Sequence, residues 1–581
     1  MVGKIQVTDI DFEQLTCVKN KLHRVVDGVN HGRAIYYDSG NSLYYKVFHA
    51  EYCRVNNFRK AIESNFFDGL APALTSLIMD DVDNIIGYVT KEGPLLSANE
   101  FDIHLIPQDF FRILKNRIKE SGMFFYDLVP HNIILVDGKL SLIDLESVYD
   151  LNEYHKLSEH NARVKPTELD EYVNELRSTI PMKISLIQPG RNNLKYLKWS
   201  YDSIRKNQGN HGVEICVADD FSNDGTWQWC TEMMEHDPNF KAIRNDGPTR
   251  LGHTILYDRL VNEVATHDIC MIYHADMYLC PNALDHVKEL IRPKRIVSLT
   301  RIEPPLHPDG PEKILLDCGI EPEEFNEDML LTQVERLKTK DKTTEGIFAP
   351  WAFYKSDFQE IGGHDPLYAP QSKEDSDIFN RFQLNGVKFV QTWEGFVYHM
   401  TCRGSRFADG ATRNPNGDVF MKNRETDEWL TQNEKASRNF IRKWGHFVKH
   451  DPQLKPIIPS KYDIGFILKD NNIDLLRALE PWCSTIYCDS QLCNHYITTE
   501  QPKTNIDLTE RVRSYNTEKT NEILITIDAN KFTQQDFGYI QQISEIITDS
   551  GEPGFHGEIG NLVININKMN KYENELIICK S

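Results

Sequence analysis

Between Lys183 and Leu279 the chain repeats one pattern: a short apolar run stops on a polar tip, and a segment of helical length follows. Ile184-Ser185-Leu186-Ile187 stops at Pro189-Gly190-Arg191-Asn192, and a run with helical spacing comes next (Leu194, Leu197, Trp199, Ile204). Val213 to Ala218 ends on Asp219-Asp220, with the turn Ser222-Asn223-Asp224-Gly225-Thr226 behind it. Ile269 to Tyr273 runs into His274-Ala275-Asp276. Strand-length apolar runs separated by helices specify an α/β fold with a parallel sheet, whose ligand lies beyond the carboxyl ends of the strands. Acids at two of those tips suit a bound cation or a ligand rich in hydroxyls and phosphate.

The rest of the chain is less constrained. Its 581 residues exceed one ordinary core, and about 150 residues per domain suggests three or four units. The expected divisions are 1–155, a linker helix over 156–181, an α/β domain over 182–450, and a small α/β accessory unit over 460–581. A net charge of −21 argues against a nucleic-acid backbone or an anionic membrane as a general partner. No apolar run approaches the roughly 20 residues that span a bilayer, which leaves only peripheral membrane contact open. Met1 to Leu15 lacks the apolar segment of a secretory signal. The 12 cysteines are scattered, with Cys216 and Cys270 inside expected strands, so reduced thiols in a cytoplasmic protein are expected.

The first 160 residues follow another logic. Ile35-Tyr36-Tyr37 and Ser42 to Phe48 read as a hairpin turning at Ser39-Gly40-Asn41, with a helical run from Phe58 to Phe67 behind it. Later, Asp127 is followed by Asn132, and a hairpin from Ile133 to Ile143 ends on Asp144. Phosphoryl transfer uses such a set: one carboxylate orients the attacking hydroxyl, while the Asn and the later Asp hold magnesium on the nucleotide phosphates. On these residues the segment resembles the protein-kinase-like superfamily, small sugar and lipopolysaccharide kinases especially. The resemblance implies a minimal α+β domain that binds ATP with Mg2+. In it Asp127 is catalytic, Asn132 and Asp144 are metal ligands, Lys46 faces the phosphates, and Glu63 is the lysine's helix partner. No His-Arg pair precedes Asp127, Leu145-Glu146 replaces Phe-Gly, and there is no glycine-rich loop beyond Gly28 and Gly32. A degenerate domain that binds nucleotide or only docks is the alternative.

Residues 182–450 resemble the family-2 glycosyltransferases of the GT-A fold, a Rossmann-like mixed sheet. Ile187 to Asn192 corresponds to the first-strand exit that cradles the nucleotide, which implicates Pro189, Arg191 and Asn192. Val217 to Thr226 is close to the second-strand signature, whose acids, here Asp219 and Asp220, bond uracil and ribose. Arg244-Asn245-Asp246-Gly247 and Arg250-Leu251-Gly252 match the segment before the metal-binding strand. His274-Ala275-Asp276 stands where that family has Asp-x-Asp. A sugar diphosphate gathers charge on its leaving group as the glycosidic bond breaks, and a divalent cation (Mn2+ or Mg2+) on carboxylate oxygen neutralises it. Asp276 is the expected ligand, and His274 in the first position is a departure.

Downstream, Ala349 to Tyr354 reads as a strand, followed by Ile361-Gly362-Gly363-His364-Asp365 and then Lys373-Glu374-Asp375-Ser376-Asp377 at a helix start. In the resembled family Gly-Gly-x-Asp and Glu-Asp-x-Asp form the acceptor side. One carboxylate there takes the proton of an acceptor hydroxyl, a poor nucleophile until then. Asp375 is the expected base, with Glu374 second, although acids at a helix start also complement its dipole. Trp351 suits either a sugar face or the core. His399, at the end of Glu394 to His399, is the second expected metal ligand, and Arg403 and Arg406 are candidates to close over the diphosphate.

The segment 460–581 shows no nucleotide loop. Cys483, Cys488 and Cys493 with His495 lack the paired spacing of a zinc knuckle, so assembly or acceptor docking is expected of it. The likeness as a whole implies a metal-dependent, inverting glycosyltransferase. It would move a sugar from a nucleotide-sugar donor to a glycan or lipid-linked acceptor, with a second, phosphotransferase activity in the N-terminal domain. The alternatives are an ATP-dependent sugar or glycan kinase whose transferase fold only binds carbohydrate, and a non-catalytic glycan-binding scaffold.

Overall fold

The computed structural model describes residues 2–26, 29–47, 55–71, 73–91, 108–125, 133–136, 139–142, 145–156, 181–401, 411–421 and 426–579. The chain divides into two compact units, Met1–Pro181 and Met182–Ser581.

In the first unit β1 (Gly3–Gln6), β2 (Thr16–Val26), β3 (Val29–Asp38), β4 (Leu43–Val47), β5 (Leu74–Met79) and β6 (Ile85–Thr90) form a sheet ordered β1-β5-β6-β4-β3-β2. The expected hairpin joins β3 to β4, where the Asp38 carboxylate accepts from the backbone N–H groups of Gly40 and Asn41. Helix α1 (Val55–Glu63) stops short of the expected Phe67, because Asn65 takes a left-handed φ of 55°. Phe58, Phe66 and Phe67 still reach the core, beside Phe124 and Phe125 of β7 (Met123–Phe125), which follows α2 (Gln108–Ser121). β8 (Ile133–Val136) pairs with β9 (Lys139–Leu142), and β10 (Val148–Asp150) pairs with β7.

The second unit is built on a mixed sheet. β11 (Lys183–Gly190), β12 (Gly212–Asp220), β13 (Phe240–Asn245) and β14 (Ile269–Ile272) are the parallel strands of the opening pattern. The interiors of β11, β12 and β14 are buried, and strands covered on both faces must be near-continuous apolar runs, which is why these three stand out in the sequence, while β13 at the sheet edge is only half-buried. The sheet also takes in β15 (Met277–Leu279), β16 (Arg295–Glu303), β17 (Lys313–Leu315), β18 (Thr343–Thr344), β19 (Trp351–Tyr354) and β20 (Lys388–His399); eight strands run in the order β13-β12-β11-β14-β19-β16-β20-β15, with β17 paired to β16 and β18 to β20. Helices α3 (Leu194–Asn207), α4 (Thr226–His236), α5 (Gly252–Arg259) and α6 (Ala283–Leu290) alternate with its strands, and α7 (Glu327–Leu337), α8 (Lys355–Glu360) and α9 (Glu374–Leu384) complete this part. Trp351 is 0% exposed and meets Phe379 and Phe382 edge-on. It is a core residue and not a sugar platform.

After the hairpin β21 (Ala411–Arg413) and β22 (Val419–Met421) comes α10 (Asp427–Trp444), followed by a second sheet. Its strands are β23 (Ile464–Lys469), β24 (Thr485–Cys488), β25 (Val512–Ser514), β26 (Ile523–Asp528), β27 (His556–Ile559) and β28 (Leu562–Ile566), ordered β25-β24-β23-β26-β28-β27. Arg442 of α10 donates to both oxygens of Glu480 from Nε (3.1 and 3.0 Å), and from Nη2 at 2.7 Å, and so bonds the transferase-like part to the accessory sheet. Glu575 to Ile578, apolar enough in sequence for a strand, lies in and just after a single helical turn, Glu573–Leu576. Leu576 packs beside Tyr368, Phe440 and Trp444, and Cys579 N–H donates to Ile361 C=O. Cys488 and Cys493 form a disulfide, because the end of β24 and the following helix turn bring their Cα atoms to 6.2 Å. These two thiols are therefore not reduced as expected, and neither is left for a metal.

Candidate active site

The centre of the site is made by the register of two strands. β15 runs antiparallel to β20 with Met277 opposite His399, which sets Asp276 beside that histidine. His399 Nε2 is 3.3 Å from Asp276 Oδ1 and 3.5 Å from His274 Nδ1, and one ligand atom from each of the three lies within 4.8 Å of the others. Behind them, His399 Nδ1 is 3.0 Å from Glu303 Oε1. Glu303 is itself held by Arg301 at 2.9 Å and Lys313 at 3.4 Å.

Charge follows from these contacts. Burial opposes a charge on His399, but Asp276 and Glu303 on either side outweigh it and raise its pKa to about 9. Burial, and then the neighbouring His399, push His274 down to about 3, so it is neutral. A neutral imidazole, a carboxylate and a second imidazole oriented by a carboxylate form a mixed nitrogen and oxygen donor set that fits a divalent transition-metal cation such as Mn2+. Asp276 and His399 were expected here. His274, read as a departure, completes the cluster that could hold a metal ion.

The strand tips expected to meet a nucleotide are locked together. Asn192, at a φ of 52°, accepts from Asn223 N–H, while its own N–H donates to Ser222 Oγ. Arg191 Nε is 3.4 Å from Phe221 C=O, and Pro189 is opposite Ala218 in the sheet. The two acids differ in what they hold. Asp220 accepts from Asn245 Nδ2 and from the N–H groups of Leu251 and Gly252, so it staples the turn before α5. Asp219 accepts from Ser222 N–H, and its Oδ2 faces Arg244 Nε at 3.3 Å.

Gly252 connects this turn to the acceptor side. It has a φ of +76°, and a Cβ there would come within 2.1 Å of Pro370 C=O. Only glycine permits that approach. Beyond Pro370, α9 opens on Glu374 and Asp375. Burial, and then the charge of Asp375, raise Glu374 to about 8. Burial also raises Asp375, while His364 and Arg301 favour its charge. The third acid of the run, Asp377, is structural: it binds Arg381 at 2.8 Å, Lys443 at 2.6 Å and Trp444 Nε1 at 2.9 Å.

Four residues at the site were not singled out from the sequence: His253, Tyr257 and Asp258 on α5, and Glu303 at the end of β16. Burial, and then Arg250, push His253 down to about 4, with Asp220 and Asp276 pulling the other way. Tyr257 is buried within electrostatic reach of Asp375, Glu374 and Asp276 together. The spacing of His253 and Tyr257, one helical turn apart, is the one signal that could have found them.

In the first unit, Asp127, Asn132 and Asp144 lie outside the described residues, as do Arg403 and Arg406 in the second. Lys46 is buried and makes its ion pair with Glu146 at 2.9 Å. Glu63, expected as its partner, is exposed at the end of α1. A partner from the segment after Asp144 takes its place, beside Tyr88, whose hydroxyl is 3.4 Å from Glu146 Oε2.

Residues 185–362 match the family model described as glycosyl transferase family 2. No curated protein matches the chain significantly. Solved structures to which the chain is similar include a mannosyltransferase, PcManGT, from Pyrobaculum calidifontis in complex with GDP-Man and Mn2+, at 17% identity over 48% of this chain and 69% of that one, with a TM-score of 0.31. A second is GalNAc-T7 with UDP, GalNAc and Mn2+, at 15% identity over 45% and 48% of the two chains, TM-score 0.32. A third is TarS of S. aureus, at 15% identity over 38% and 36%, TM-score 0.29. Among the described residues, no helix is long and apolar enough to cross a membrane.

Proposed function

We propose that the family 2 glycosyltransferase domain over residues 185–362 belongs to a metal-dependent, inverting enzyme. It moves a sugar from a nucleotide-sugar donor to a glycan or lipid-linked hydroxyl. The observation that carries this reading is the cluster of His274, Asp276 and His399, with Glu303 behind it. The three donors would hold the cation, which when bound supplies positive charge to the diphosphate leaving group. Pro189, Arg191, Asn192 and Asp219 line the strand exits on the nucleoside side, and Asp220 keeps that turn in shape. Asp375 takes the proton of the acceptor hydroxyl as its oxygen attacks the anomeric carbon from the face opposite the leaving group. Glu374, which keeps its proton to about pH 8, carries the pair's shared proton.

Thermal unfolding with UDP-, GDP-, CMP- and dTDP-sugars, each with and without Mn2+, followed by radiolabel transfer from the stabilising donor, tests this. A Mn2+-dependent shift with one donor base, abolished by Asp276→Ala, is the expected result. Stabilisation by no donor overturns it.

A second reading, phosphoryl transfer by the N-terminal unit, is favoured by the buried Lys46–Glu146 pair on the strand that precedes α1. An ATP arm in the same screen tests it, and a Mg2+–ATP shift lost in Lys46→Ala is the expected result.

A further inference from the structure

A cavity of about 760 Å³ lies where α10 meets two helices of the accessory part, Gln534–Gln541 and Ile543–Ser550. Aromatic rings form much of its wall. Trp482, 6% exposed, meets Phe537 edge-on at 6.1 Å, while Phe447, just past α10, is 43% exposed. Such rigid rings offer apolar area to the CH faces of a ligand, and a small-molecule pocket needs this from most of its lining.

The polar groups of the lining differ in what they already hold. Arg438 donates to Glu500 Oε1, Arg477 C=O and Tyr496 Oη, at 2.9, 2.8 and 2.7 Å. Lys449 pairs with Glu545 Oε1, so their charges cancel. The other carboxylate oxygen, Glu545 Oε2, is buried and has no hydrogen-bond partner among the described residues. A buried acceptor left so is costly, and it calls for a donor from whatever enters. Gln541 and Gln542 are exposed, and each side chain carries an acceptor oxygen and an amide NH2. An anion would find both lining cations already paired, and an alkyl chain would leave Glu545 Oε2 without a donor. An uncharged polyol with apolar ring faces satisfies the rings and the polar groups together.

Phe447 ties this cavity to the acceptor side. Lys373 Nζ stands over its ring at 5.5 Å, and Lys373 directly precedes Glu374 and Asp375 at the start of α9. The same Nζ is 3.3 Å from Asn433 Oδ1 of α10, so one helix supports both the cavity wall and the residue before the acids. We propose that the cavity is an auxiliary subsite for uncharged sugar units of the acceptor chain, a role that deepens the transferase reading and rests on it. Phe447, Trp482 and Phe537 meet the sugar's apolar faces, while Glu545 Oε2, Gln541 and Gln542 bond its hydroxyls. No bond is made or broken there. The subsite tethers a glycan whose reacting hydroxyl lies at Asp375, so a long acceptor gains contacts that a short one lacks.

The test is saturation-transfer NMR of the full chain with maltohexaose, cellohexaose, chitohexaose and mannohexaose, and with octyl glucoside below its micelle concentration. At least one hexasaccharide is expected to receive saturation at its ring protons. Phe447→Ala and Gln542→Ala, both at exposed positions, are each expected to weaken that binding about tenfold at an unchanged melting temperature. Binding of no hexasaccharide, or binding unmoved in either variant, overturns the proposal. Octyl glucoside saturated along its alkyl chain alone overturns it in favour of a lipid. In sugar transfer with Mn2+ and the stabilising donor, Phe447→Ala is expected to raise KM for the bound hexasaccharide about tenfold more than KM for its monosaccharide. Equal changes in the two KM values overturn the subsite's role. A wild type that binds the hexasaccharide but transfers no sugar from any donor overturns the transferase reading, and the acceptor role with it. Transfer to a monosaccharide with no hexasaccharide bound overturns the subsite alone.

Discussion

Glu303 and His399 meet at 3.0 Å, Oε1 on Nδ1, and this contact turns the other ring nitrogen toward Asp276 at 3.3 Å. A carboxylate behind a metal-binding imidazole fixes its tautomer and orientation, and losing it typically weakens affinity ~10–100-fold. Glu303→Gln is therefore expected to weaken Mn2+ binding by about that factor in isothermal titration calorimetry. An unchanged Kd would show that Glu303 serves the fold alone.

His274→Ala and Asp276→Ala each remove one donor from the same cluster. A ligand at about 100 times its Kd stabilises the folded state by about 2.7 kcal/mol, and both variants are expected to lose this Mn2+-dependent gain in calorimetric melting. Retention of the full gain in His274→Ala would return that residue to a purely structural place.

The two acids of α9 are separable by substitution. Asp375→Asn is expected to lower kcat ~10²–10⁴-fold, as the loss of a general base does. Glu374→Gln mimics the protonated acid and is expected to keep the rate within about tenfold. Reversed magnitudes in steady-state transfer assays would exchange the two roles.

The pH dependence of stability checks the same pair. Glu374 titrates at about 8 in the folded chain against an ordinary value of 4.5, so between those values the folded state binds more protons than the unfolded chain. Its contribution to stability is complete below about pH 4.5 and declines as pH rises through about 8. Glu374→Gln should remove that slope in urea unfolding followed from pH 5 to 8. A slope equal to that of the wild type would contradict the assignment.

Glu480 has the opposite sign. It is 0% exposed, and although burial works against its charge, Arg511 and Arg442 lower it to about 2. The stabilisation is present above the ordinary value of 4.5 and is lost as pH falls toward 2. Removing one partner of a buried pair costs about 3–5 kcal/mol, and Glu480→Gln is expected to lose that much in denaturant unfolding at neutral pH. A loss under about 1 kcal/mol would mean that water reaches the cluster.

Much of the transferase-like sheet was legible in the sequence, because strands buried on both faces must be apolar runs and their exits must be polar. Val213 to Asp220 shows it: the run is buried, and its tip is where the turn to α4 begins. The reading weakened where one pattern serves two structures. Glu575 to Ile578 has the composition of a strand but caps the aromatic cluster of α10 as a turn. Trp351 is as apolar as a sugar platform requires, yet its neighbours Phe379 and Phe382 close over it.

At the site, the order of the segments offers Asp276, Asp375 and His399 as candidates one at a time, and the structure sets Asp276 beside His399. What each carboxylate bonds to was not legible. Asp219 and Asp220 are adjacent, but the fold brings N–H groups from 251 and 252 to one and Arg244 to the other. Asp258 and Glu303 have no local spacing that sets them apart, since their partners are 106 and 96 residues away. Periodicity belongs to a single segment, so the sequence by itself determined the sheet's parallel strands and the exits where acids cluster. Burial and pairing arise between segments, so tertiary structure alone brought His274, Asp276 and His399 together and made Asp220 the acid that staples a turn.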